Sequence, residues 1–110
     1  MNPAVRQLTP QQVADLSAQT PDKVLLLDVR EPWEYERVHL PGCLHIPMGE
    51  LPGRLQELDP GQTCVIVCHH GNRSQQVALF LCTRGFRDVC NLAGGLEAWA
   101  LELDPSLARY

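Results

Sequence analysis

Val24-Leu25-Leu26-Leu27-Asp28-Val29 is an apolar run broken only by Asp28, and it constrains the fold more than any other stretch of the chain. A run with no alternation has no face left for water. It suits a parallel strand covered on both sides, with functional groups gathered at its carboxyl end. Thr63–Cys68 is a second run of the same kind, Val89-Cys90-Asn91-Leu92 a third, and Cys43–Ile46 is long enough for a short strand only.

Helical patterns fill the spaces between these runs. Thr9 is placed to N-cap a first helix, with Pro10 at its first position, Gln12 where a capping box wants Glu or Gln, and Val13 and Leu16 as its apolar stripe. Glu31–Arg37 reads as one or two helical turns led by Pro32. Pro47–Leu58 reads as mostly helical, with Leu51, Leu55 and Leu58 at core spacing and a kink at Pro52-Gly53. Asn72–Arg84 reads as a helix closed by Gly85, and Gly94-Gly95 leads into a last one, Leu96–Leu103. Strands alternating with helices predict an α/β domain around a central, mainly parallel sheet.

At 110 residues the chain fits one domain, expected over 9–104 with short extensions at 1–8 and 105–110. A formal net charge of −4 without an extended basic cluster argues against a nucleic-acid or anionic-membrane partner. Met1–Gln7 has no apolar core of a signal peptide, and the longest apolar runs are too short to cross a bilayer, so a cytoplasmic location is expected. Five cysteines (Cys43, Cys64, Cys68, Cys82 and Cys90) form no disulfide frame, which turns attention to which thiol is reactive.

Cys68 is the one whose surroundings carry chemistry. A buried strand delivers it to its carboxyl edge, and Cys68-His69-His70-Gly71-Asn72-Arg73-Ser74 then turns directly into a helix. The unpaired N–H groups of such a loop and helix start form an anion-binding nest. A thiol in a nest of this type is expected to ionise below the free value of about 8.5. Gly71 gives the backbone freedom in the turn, and Arg73 adds a permanent positive charge.

These residues carry a family resemblance. Asp28-Val29-Arg30-Glu31-Pro32-Trp33-Glu34-Tyr35 resembles the rhodanese D-x-R-x-x-x-E-(F/Y) segment. Val38–Cys43 is similar to its G-H-I-P-G-A turn, and His45-Ile46-Pro47 to its N-I-P. Cys68–Ser74 resembles the active-site loop C-x-x-G-x-R-S of single-domain members, and Leu92–Trp99 the closing L-x-G-G-(x)-x-A-W. Val38, Cys43 and His45 depart from the family's usual residues, all outside the loop.

The resemblance implies a rhodanese-like fold with a mainly parallel five-stranded sheet and helices on both faces. It also implies a sulfurtransferase without cofactor or metal. In such an enzyme Cys68 takes the outer sulfur of a thiosulfate- or persulfide-type donor and passes it to cyanide, a thiol or a protein thiol. His69 through Ser74 would form the binding loop, supported by Asp28 and Arg30, and the protein would act as a monomer. A sulfur-relay or docking module serving a partner enzyme is the alternative. A cysteine-dependent phosphatase or arsenate reductase is disfavoured, because Arg73 closes the loop as C-x4-R where those enzymes use C-x5-R.

Asp28 is expected to pair with Arg73, and Arg30 with Glu34 or a neighbouring acid. His69 and His70 are expected at the mouth of the nest, with no third ligand beside them for a metal. Cys43, Cys64, Cys82 and Cys90, together with Trp33 and Trp99, are expected to pack, Cys43 being the best candidate for a resolving thiol.

Overall fold

A computed structural model describes residues 5–110. Five strands run in the order β1 (Arg6–Leu8), β5 (Val89–Leu92), β4 (Thr63–Val67), β2 (Val24–Asp28) and β3 (Leu44–His45), every neighbouring pair parallel. The helices are α1 (Pro10–Gln19), α2 (Pro32–Arg37), α3 (Asn72–Thr83) and α4 (Gly95–Glu102). Leu51–Glu57, expected as a kinked helix, is a 3-10 segment interrupted at Arg54. The capping box at Thr9 forms as expected: its hydroxyl accepts from the Gln12 N–H, and the Gln12 side chain accepts from the Thr9 N–H.

The central strands feed two cores in strict alternation. Cys64, Ile66 and Cys68 point into a core with Val77, Ala78 and Leu81 of α3 and Leu51 of the 3-10 segment. Val65 and Val67 point into the opposite core, with Val13 of α1 and Leu96 of α4. β2 and β4, covered on both sides, carry polar side chains only at their ends, which explains why these stretches read as apolar runs.

Two segments outside the expected 9–104 domain belong to the folded unit. Arg6–Leu8 is the edge strand β1, paired with Cys90–Leu92. A three-residue strand of mixed polarity leaves too short a pattern to be read from sequence. Beyond α4, Leu107 packs on the second core, and Tyr110 reaches the site described below. Among the described residues no helix is long and apolar enough to cross a membrane.

Candidate active site

β4 ends at Val67, so Cys68 is the first residue of the loop and lies at the carboxyl edge of the sheet, 1% exposed. Its sulfur receives two backbone N–H groups, from Gly71 at 3.1 Å and from Ser74 at 3.4 Å. The Ser74 hydroxyl stands 3.2 Å from the same sulfur. The loop therefore wraps back on the atom that starts it. Gly71 permits this with φ of +96°, a left-handed conformation that side chains rarely adopt. Ser74, the last residue of the expected loop, closes the nest from the first turn of α3.

Behind the sulfur runs a buried polar chain. The Ser74 hydroxyl donates to Asn91 Oδ1 at 2.5 Å, and Asn91 Nδ2 donates to the Gly71 carbonyl and to Gln7 Oε1. Gln7 Nε2 in turn donates to Gln75. Asn91 is thus the residue that fixes both Ser74 and Gly71, and Gln7 of β1 steadies it. Neither was singled out from sequence. The signal for Asn91 was there: it is the one polar residue inside an otherwise apolar strand.

One expected ion pair is not made, and Arg30 takes a neighbouring acid. Asp28 does not meet Arg73. It accepts from Arg30, Nε at 2.9 Å and Nη2 at 2.7 Å, with both side chains fully buried. The reason is the pleat: residues two apart at a strand end share a face, so Arg30 reaches the carboxylate first. Arg30 Nη1 donates to the Glu34 carbonyl and not to its carboxylate, while Nη2 also donates to the Val38 carbonyl. Arg73 is instead held by Glu34 in a two-pronged pair at 2.6 and 2.8 Å. The Arg73 guanidinium holds the Glu34 carboxyl down at about 2, against the desolvation that would raise it.

Tyr110 completes the set. Its hydroxyl donates to Glu34 Oε2 and accepts from Arg30 Nη1, both at 2.8 Å, and its ring stacks on His69 with centroids 4.0 Å apart. His69 stacks in turn on His70. Trp33 meets the Tyr110 ring edge-on and is 61% exposed, so it is no core anchor. α2 has only six residues and turns Glu34 inward, which leaves its neighbour Trp33 facing out. Trp99 packs against the second core as expected.

The two histidines have a neighbour that the sequence did not reveal. Ligand-type atoms of His69, His70 and Glu97 lie within 4.8 Å of one another. Glu97 is engaged by Arg109, at 2.6 Å from Nε. The other cysteines behave as packing residues: Cys64 and Cys90 are buried, and Cys43 and Cys82 lie against the cores. Burial pushes the thiols of Cys43 and Cys64 up to about 12, which keeps Cys43 protonated and poorly suited as a resolving thiol.

The geometry agrees with comparison to known proteins. The family model for the rhodanese-like domain matches residues 9–102, and the chain belongs to that family. It is 35% identical to the thiosulfate sulfurtransferase GlpE of Pseudomonas syringae, with 86% of each chain covered. It is 43% identical to YrkF of Bacillus subtilis, named as a candidate sulfur carrier protein, over 67% of this chain and 40% of that one. The chain thus spans less than half the length of that relative. A rhodanese-like domain protein from Staphylococcus aureus has the same fold, with a TM-score of 0.81 at 27% identity, covering 96% of this chain and 99% of the other.

Proposed function

We propose that this protein is a sulfurtransferase that carries sulfur as a persulfide on Cys68. The observation that carries the reading is the pair of N–H groups, from Gly71 and Ser74, aimed at the Cys68 sulfur. Donors fixed in place before any reaction stabilise negative charge on sulfur without reorganisation.

The chemistry is a double displacement. The Cys68 thiol gives up its proton to solvent, and the thiolate attacks the outer sulfur of thiosulfate. A new S–S bond forms, the S–S bond of the donor breaks, and sulfite leaves with the electron pair. An acceptor nucleophile, such as cyanide or a thiol, then attacks the outer sulfur and releases Cys68 as thiolate. No general base is needed at the second step, because the leaving thiolate returns to the same two N–H groups. Arg73, its charge paired with Glu34, fixes the end of the loop that presents the two N–H groups.

A sulfur-relay role for a partner enzyme uses the same persulfide, and the name of the Bacillus relative favours keeping it in view. Intact mass spectrometry after incubation with thiosulfate tests the common step. The wild type is expected to gain one sulfur that a reductant removes, and Cys68→Ser to gain none. An unchanged wild-type mass, or equal labelling of the variant, would overturn the reading.

A further inference from the structure

Tyr110 links the start of the loop to the carboxylate that holds its end. Its ring lies on His69, the residue after Cys68, and its hydroxyl holds the Glu34 carboxylate that grips Arg73. It therefore spans the mouth of the loop. Behind that mouth Cys68 is 1% exposed, so a donor sulfur cannot reach it without displacing something.

The loop itself is poorly placed to move. The N–H groups of Leu96 and Glu97 hold the carbonyls of Cys68 and His69 at 2.9 and 3.0 Å, and Asn91 holds the Gly71 carbonyl. The tail that carries Tyr110 is held differently. Leu107 packs on the second core, but beyond it the ties are the Arg109–Glu97 pair, whose arginine is 59% exposed, and the contacts of Tyr110 itself. Local opening draws on the segments with few buried contacts, and among the described residues near the site that segment is 108–110.

We infer that the Tyr110 ring is the gate of the site and grades sulfur donors by size. Small inorganic donors need displace the ring only slightly, and bulky persulfides must lift it fully from His69. This rests on the reading of Cys68 as a sulfur carrier for the identity of the donors, though not for the gate. Trp33, edge-on to the ring at 5.8 Å, is its outer support.

Alkylation of Cys68 tests the gate without any sulfur chemistry. Wild type, Tyr110→Ala, Tyr110→Phe and Trp33→Ala are treated with iodoacetamide and with an iodoacetamide bearing a bulky N-aryl group. The rates are read from the peptide containing Cys68 by mass spectrometry. Tyr110→Ala is expected to raise the bulky-to-small rate ratio about two- to tenfold, the range set by the strength of one aromatic pair. Tyr110→Phe keeps the ring but loses the two hydrogen bonds of the hydroxyl, and is expected to fall between wild type and Tyr110→Ala. Trp33→Ala, an exposed substitution that does not threaten the core, moves the ratio the same way by less.

An unchanged ratio in Tyr110→Ala, or an equal rise in Tyr110→Phe, overturns the gate. The same variants are then given thiosulfate and glutathione persulfide, and uptake of the larger donor is expected to gain in Tyr110→Ala by a similar factor. A wild type that takes sulfur from neither donor overturns the sulfur-carrier reading, while the alkylation ratio still decides the gate.

Discussion

Gly95 lies so close to the start of the active-site loop that a Cβ built on it would stand 2.5 Å from the carbonyl oxygen of Cys68. Its φ of +63° is also one that side chains rarely adopt, and Gly94 before it shares the left-handed conformation. The two glycines turn the chain sharply out of β5. The next two N–H groups, of Leu96 and Glu97, then bond the Cys68 and His69 carbonyls. Gly95→Ala is therefore expected to cost at least about 2 kcal/mol, from backbone strain plus a contact only a shift of the loop can relieve. Urea unfolding checks the cost. Alkylation of Cys68 in the folded fraction checks that the loop has moved, and a variant as stable and as reactive as wild type would contradict the contact.

Asp28 and Arg30 are fully buried on one another, and every contact made by the guanidinium is within the protein. Removing one partner strands a charge. Asp28→Ala is expected to lose about 3–5 kcal/mol in denaturant unfolding, more than an exposed pair such as Arg54–Glu57 would lose.

Glu34 makes stability depend on pH in a defined direction. Its folded carboxyl sits at about 2 against 4.5 ordinarily, so the folded state binds its proton less readily than the unfolded chain does. Its contribution is complete above about 4.5 and is lost as pH falls towards 2. Because the Arg73 side chain is 35% exposed, the loss is expected to be about 1–2 kcal/mol, smaller than the full shift would give. Thermal unfolding from pH 6 to pH 2 should show a flatter profile for Glu34→Gln than for wild type.

Asn91 carries the polar chain behind the sulfur. Asn91→Leu removes the acceptor of Ser74 and one of two donors to the Gly71 carbonyl, leaving the hydroxyl only the Cys68 sulfur and the carbonyl only the Gln75 N–H. A loss of about 1–3 kcal/mol is expected. With the loop free to shift, sulfur uptake by Cys68 should slow as well. A double-mutant cycle with Ser74→Ala should show coupling, because the two side chains are directly bonded.

The parallel sheet was legible because β2 and β4 are buried on both faces, so no polar side chain interrupts them before the ends. The loop that wraps the Cys68 sulfur was legible because strand, loop glycine, arginine and helix follow one another along the chain. The pairing of charges was not. Asp28, Arg30, Glu34 and Arg73 offer several sensible pairings by sequence, and only the pleat at the end of β2 and the inward turn of α2 select one. Glu97 and Tyr110 were hidden for a different reason: they meet His69 only through tertiary packing, far from it along the chain.

The family match begins at Thr9, while β1 occupies the three residues before it. A version trimmed to begin at Thr9 would keep every residue of the recognised motifs. It would also bare the open edge of β5, a template for pairing with other chains, and take Gln7 away from Asn91. For anyone choosing where to cut, graft or fuse this domain, the working boundary is set by the hydrogen-bond ladder and not by the motif.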